Sequence, residues 1–126
     1  MDGDTKGITI ASVVLPGNKV ITRNNLTQKK SKMGVKILGV EFLSWHAEMR
    51  IISYLMRNSY FRVLIDKQGE LHMSIVRHTR TGDLANSSRP CYKCQTVMRK
   101  FKQKYLPNVK FIVHFHEEGS WYSLLF

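Results

Sequence analysis

The chain is 126 residues long and 43% hydrophobic, enough for one folded core and too apolar for a disordered segment. Its 20 Lys and Arg against 9 Asp and Glu give a formal net charge of +11, which favours a polyanionic partner or a phosphorylated substrate. No apolar run approaches the ~20 residues of a membrane span, Met1-Asp2-Gly3-Asp4 has no signal-peptide character, and two cysteines three positions apart do not make a secreted disulfide framework. The expectation is a single domain, 1–126, in a reducing compartment, cytosol or nucleus.

Residues 7–15 are β-branched and apolar and predict a strand. Pro16-Gly17-Asn18 predicts a turn, and residues 19–23 a second strand closing a hairpin. Residues 24–39 are polar, carry Lys29, Lys30, Lys32 and Lys36, and read as a long loop of the kind that is usually functional. Residues 35–42 fit either a short strand or a turn of helix. In residues 46–58, Met49, Ile52, Leu55 and Met56 recur at three and four positions, the stripe of an amphipathic helix. Residues 61–66 read as a strand and 67–70 as a turn. Residues 71–78 form a strand, and 79–89 a polar loop. A second helix covers 91–105, with Cys94, Val97, Met98, Phe101 and Tyr105 on one side. Leu106-Pro107-Asn108 ends it. Residues 109–115 and 120–126 are the last two strands, and Trp121 is expected in the core. The link between them is too short for a parallel crossover, so they run antiparallel.

Ser87-Ser88-Arg89-Pro90-Cys91-Tyr92-Lys93-Cys94 concentrates the chemistry. Proline suits the first position of a helix, which puts both sulfurs on its first turn and one face. A helix N-terminus favours negative charge and so readies both thiolates for a metal. Two thiolates are half of a tetrahedral zinc shell. The other helix opens with Trp45-His46-Ala47-Glu48-Met49, which offers an imidazole and a carboxylate.

His46-x-Glu48 followed by Pro90-Cys91-x-x-Cys94 resembles the signature of the cytidine/deoxycytidylate deaminase superfamily, a His/Cys/Cys zinc site with a glutamate that is not a ligand. The likeness extends from about residue 8 onward. It implies an α/β fold with a cytidine-deaminase-like mixed five-stranded sheet, the zinc-site helices on one face and the last two strands as an antiparallel hairpin. That ending is similar to the free-cytidine and bacterial-toxin branches rather than to those with a parallel final strand. The family's helix before the first strand has no counterpart in the seven residues available here. No helix is evident for the far sheet face, so a homo-oligomer or a partner chain is expected to cover it.

The resemblance implies one Zn2+ held by His46, Cys91 and Cys94, a metal-activated water that attacks C4 of cytosine or C6 of adenine, and Glu48 as the proton carrier. His46 and Glu48 lie about 200° apart on an ideal helix, so both reach one metal only where the helix entry is irregular. For substrate it implies an asparagine closing the second strand, Asn24 ahead of Asn25, and a wall from Trp45, Ala47, Arg89 and Pro90. Arg89 stands where nucleoside deaminases carry serine and could reach a phosphate. Tyr92 is a further stacking candidate. The expected reaction is cytosine to uracil in single-stranded DNA or RNA, with free cytidine or its nucleotides as the alternative. Two bland readings compete. One is a thioredoxin-like Cys pair, although its lead-in strand and aromatic context are missing. The other is a structural zinc closed by a fourth ligand from His72, His78, His114 or His116, within a non-catalytic nucleic-acid-binding protein.

Overall fold

The computed structural model describes residues 7–25 and 34–126. A five-stranded mixed sheet runs in the order β2-β1-β5-β6-β7, formed by β1 (Ile8–Leu15), β2 (Lys19–Asn24), β5 (Glu70–His78), β6 (Lys110–Glu117) and β7 (Ser120–Leu125). Between β2 and β5 come the two-stranded ribbon β3 (Val35–Ile37) and β4 (Val40–Phe42), then helices α1 (Ala47–Arg57) and α2 (Ser59–Gln68). Helix α3 (Tyr92–Tyr105) connects β5 to β6, and these two strands pair in parallel. The last two strands are an antiparallel hairpin, as their short link requires. Its turn places Glu118 and Gly119 at φ 51° and 82°, the paired positive φ of a two-residue hairpin turn.

Alternation along the strands selects the core. Ala11, Val13 and Leu15 of β1, Leu71, Met73 and Ile75 of β5, and Phe111, Val113 and Phe115 of β6 share one face and are buried. Met49, Ile51, Ile52 and Leu55 of α1 and Val97, Met98 and Phe101 of α3 bury against them. The opposite face carries Val14, Val20, Trp121 and Leu125, all exposed. Also on that face, His72 Nδ1 and His114 Nε2 stand 2.9 Å apart, with Glu70 on the far nitrogen of His72 and Ser123 on that of His114.

Three expectations need correction. Residues 61–66 are not a strand but the middle of α2. The apolar run Val63–Ile65 is outweighed by a helical spacing in which Phe61 and Ile65 pack on the core. Arg62 also donates from Nη1 to the Leu55 and Met56 carbonyls at 2.7 and 2.6 Å, satisfying the end of α1. Trp121 is not core: its register opposite His116 turns it to the open face, 59% exposed. Pro90 does not start α3. It precedes Cys91, which is the N-cap in extended conformation (φ −68°, ψ 168°). Residues 35–42, readable either way in the sequence, are the β3–β4 hairpin. Lys29, Lys30 and Lys32 lie outside the described residues. Lys36 is on β3. No described helix is long and apolar enough to cross a membrane.

Candidate metal centre

The parallel pair β5–β6 opens at one end, and the site is built there. The ladder reaches Ile75 and Phe115. Beyond it the buried Ser88 sits between the strands: its hydroxyl donates to the Ile75 carbonyl at 2.8 Å and accepts the His116 amide at 2.8 Å. The Ser88 amide donates to the His116 carbonyl, also at 2.8 Å. Short bridges on either side, His78 to Leu84 and Ser87 to Glu117, hold the rest of the loop. This clasp fixes the entry to α3, and with it Arg89, Pro90 and Cys91.

The metal-ligand candidates cap two helices. His46 is the N-cap of α1 with extended backbone (φ −82°, ψ 148°), and Cys91 is the N-cap of α3. Cys91 Sγ accepts the Cys94 amide at 3.4 Å, the role an oxygen usually plays at a cap. His46 being outside the helix resolves the 200° problem: Glu48 is in the first turn, and His46 is not on the helical cylinder at all. Both helix starts bring their positive ends to one place.

His46 Nδ1, Cys91 Sγ and Cys94 Sγ lie within 4.8 Å of one another. The Nδ1–Sγ separations are 3.9 Å to Cys91 and 3.3 Å to Cys94. Tetrahedral zinc with bonds of 2.0–2.3 Å sets nitrogen–sulfur separations of about 3.6 Å, which these two bracket. The donor set therefore fits a zinc ion in chemistry and in spacing. None of His72, His78, His114 or His116 belongs to this cluster.

The electrostatics follow from the same contacts. Hydrogen bonds from Cys94 and His46 lower the exposed Cys91 thiol from the usual 9.0 to about 4. The buried Cys94 thiol is pushed up, first by its hydrogen bond with Cys91 and then by burial. A divalent cation reverses that and holds both as thiolates. The hydrogen bond with Cys91 raises His46. Burial raises Glu48, only 4% exposed, while nearby His46 acts in the opposite sense.

A cleft of about 240 Å³ opens over this group. From the metal side it is lined by His46, Ala47, Glu48 and Cys91, with Trp45 and Ser44 from the approach to α1. The sheet contributes Thr9, Asn25 and Arg77, and the loop contributes Ser88 and Arg89. Of the residues expected at a substrate wall, Trp45, Ala47, Arg89 and Asn25 line this cleft. Asn24 and Pro90 do not. Asn24 is the last residue of β2, opposite Ile10, and its carbonyl accepts Arg50 Nη1 at 3.0 Å. Asn25 Oδ1 accepts the Thr9 amide at 3.0 Å, which turns its side chain across the end of β1. The Pro90 carbonyl accepts Gln95 Nε2 at 2.9 Å within the start of α3. Tyr92 points to solvent, 82% exposed, beside Lys36 and Lys93 in a separate shallow hollow.

Arg89 is held in place. Its Nε and Nη2 donate to Glu117 Oε1 at 3.2 and 3.0 Å, and its guanidinium lies 4.6 Å from the Phe115 ring centroid. That contact keeps the Glu117 carboxyl below the usual carboxylate range. Thr9, Ser44, Arg77 and Ser88 are cleft residues that motif reasoning passes over. Strand parity alone could have marked Arg77, which follows Met73 and Ile75 on the core-facing side of β5.

No protein-family model matches this chain, and neither the curated proteins nor the solved structures yield a match to it.

Proposed function

We propose that this chain is a zinc-dependent hydrolytic deaminase that converts cytosine to uracil, with single-stranded nucleic acid as its preferred substrate over free cytidine and its nucleotides. One observation carries the reading. A buried glutamate adjoins a His/Cys/Cys triad, two positions from the histidine, at an open cleft sized for one nucleoside. Three protein ligands are the number found at catalytic zinc sites, and the fourth position supplies an acidified water near neutral pH.

His46, Cys91 and Cys94 hold the ion in this reading. Glu48 moves protons: it takes one from water and delivers it to the ring nitrogen of the base, then takes a second from the hydroxyl added at C4 and delivers it to the departing amine. Water adds, ammonia leaves, and Glu48 ends as it began. Its burial suits this work, because burial moves the carboxyl upward from its ordinary value, in the direction a group that both gives and accepts protons requires. Trp45 supplies a face for the base, a contact worth about 1–3 kcal/mol. A cleft of this size accepts one extruded or single-stranded base rather than a base within a duplex.

The other reading, a zinc-stabilised nucleic-acid-binding protein without catalysis, draws on the exposed Tyr92 flanked by Lys36 and Lys93, an aromatic among cations away from the cleft. Mass spectrometry separates the two. Zinc-loaded wild type and Glu48→Gln are incubated with cytidine, deoxycytidine, their monophosphates, and single- and double-stranded oligonucleotides. Glu48-dependent gain of uracil in any substrate supports the enzyme. Oligonucleotide binding that falls steeply with salt, equal in both proteins and with no product, supports the binding protein.

A further inference from the structure

Two imidazoles meet on the open face of the sheet, on the side away from the candidate metal centre. The parallel β5–β6 register pairs His72 with Ile112 and His114 with Ser74, so the two histidines are diagonal neighbours on that face. His72 Nδ1 and His114 Nε2 face one another at 2.9 Å, with the ring planes within 3° of parallel. Each far nitrogen also has a partner: Glu70 Oε1 lies 2.9 Å from His72 Nε2, and Ser123 Oγ lies 2.8 Å from His114 Nδ1. The deaminase chemistry uses none of these four residues.

The partners decide which nitrogens carry protons. The His72 hydrogen bond holds the Glu70 carboxyl below its usual range, and an ionised carboxylate only accepts. His72 Nε2 therefore carries the proton, and Nδ1 of the neutral ring presents a lone pair. Ser123 is a two-way partner, because a hydroxyl both donates and accepts. When it donates to His114 Nδ1, the His114 proton sits on Nε2 and fills the gap to His72. When it accepts, the proton sits on Nδ1 and Nε2 is bare. Two lone pairs then face each other, and a cation between them satisfies both without orphaning any other group. Burial and the neighbouring His72 lower His114, which favours the neutral, ligating ring. Bonds of 2.0–2.1 Å put adjacent ligands of a square-planar or octahedral ion about 2.9 Å apart, the spacing already present. A carboxylate on the far nitrogen of a ligating histidine is the usual support of such a site. The His72 side chain is 47% exposed, so its ring can turn towards an ion and water can fill the remaining positions. Lys110, the cation on this face of β6, stands opposite Glu70 rather than opposite either imidazole.

We propose that His72 Nδ1 and His114 Nε2 form a second metal site, on the open face of the sheet, for a divalent transition ion that favours imidazole (Cu2+, Ni2+ or Zn2+), with Glu70 orienting His72. The proposal is independent of the deaminase reading, since it shares no residue with the His46, Cys91 and Cys94 cluster. Two neutral nitrogens bind more weakly than one nitrogen and two thiolates. The open-face site therefore fills second, and it empties on desalting while the other keeps its ion. Hard ions such as Mg2+, which take oxygen ligands, are excluded. An occupied site joins β5 to β6 by a bond between side chains, in addition to the ladder.

Nickel is the probe, because Cu2+ would oxidise the thiols. Untagged protein, loaded with zinc and desalted, is titrated with Ni2+ by calorimetry. Absorption spectra are recorded in parallel, since thiolate-to-nickel charge-transfer bands report any ion that reaches Cys91 or Cys94. The expected result is one Ni2+ per chain bound without those bands, a rise in Tm with Ni2+ as binding to the folded state requires, and no response to Mg2+. His72→Ala and His114→Ala should each weaken Ni2+ binding at least tenfold and abolish the rise in Tm. Glu70→Ala should weaken it by roughly tenfold, the low end of the range for a supporting carboxylate. His78→Ala, which removes a histidine of the same strand outside the pair, should change nothing. Far-ultraviolet circular dichroism shows that each variant is folded. Wild-type Ni2+ affinity in either His72→Ala or His114→Ala overturns the site. So does a single Ni2+ whose binding brings the thiolate bands, or no binding at millimolar Ni2+.

Discussion

His46 Nδ1 lies 3.3 Å from Cys94 Sγ, although 48 positions separate the two residues in the chain. One belongs to the start of α1 and the other to the first turn of α3, so the contact exists only when both helices are docked on the sheet. The ligand variants should therefore differ. Cys91→Ser places a good N-cap oxygen where a sulfur caps now, so helix content should persist while zinc content drops from one per chain towards zero. Cys94→Ser puts a hydroxyl in a fully buried position and should lose both zinc and several degrees of Tm. Elemental analysis and thermal melts by circular dichroism check both. Equal Tm for the two variants would contradict the assignment of Cys91 as cap and Cys94 as core.

In the metal-free protein, Cys91 should be the reactive thiol. Its pKa falls from 9.0 to about 4, so its thiolate contributes stability that is complete above pH 9 and lost as pH falls through about 4. After chelation, iodoacetamide at pH 6 should label Cys91 and leave the buried Cys94 unmodified. Zinc should protect both. Peptide mapping reads the outcome, and preferential labelling of Cys94 would reverse the assignment.

Glu48→Gln should lower turnover about 10²–10⁴-fold with zinc retained, the range for loss of a positioned acid–base group. It should also flatten the pH dependence of stability in the chelated protein. Burial raises the Glu48 carboxyl, so the folded state binds more protons than the unfolded one. Wild-type stability then falls as pH rises from the ordinary glutamate range through the raised value, whereas the amide does not titrate. Urea melts across pH 4–8 should show wild type losing stability relative to Glu48→Gln as pH rises.

Arg62→Met should destabilise the fold by about 1–3 kcal/mol without altering zinc content. It removes the donor to the Leu55 and Met56 carbonyls, leaving Leu55 with the Asn58 amide alone at the junction with α2. Urea denaturation measures the loss. A change confined to the metal site would mean that the junction is not structural.

The sequence yields the sheet strands and the two site helices because each is governed by its own residues. The alternation of Leu71, Met73 and Ile75 and the three-four spacing of Met49, Ile52 and Leu55 are local patterns. The candidate ligand cluster is equally legible, since His-x-Glu and Cys-x-x-Cys are short motifs. What escaped depends on distant partners. Helix α2 was hidden because Val63–Ile65 favours a strand locally, and only docking of Phe61, Arg62 and Ile65 on α1 and the core decides otherwise. Asn25 rather than Asn24 reaches the cleft because the β1–β2 register ends at Ile10, one residue short of Thr9. Ser88 looked like any loop serine, and its role depends on where β5 and β6 part.

That clasp also sets an order of assembly. The hairpins β1–β2 and β6–β7 close over short turns, so their pairing is local in the chain. The β5–β6 pair must bring together strands separated by a loop and the whole of α3, and Ser88 has no partners until it does. On this order, Cys91 and Cys94 of α3 are expected to meet His46 late, after the closure of a long loop, the kind of step that slows folding. A metal held there would then act as a latch and not as a template: refolding should run at one rate with or without zinc, while unfolding slows when it is bound. Stopped-flow refolding and unfolding in zinc and in chelator would show this, and a zinc-accelerated refolding limb would move the site into the nucleus instead.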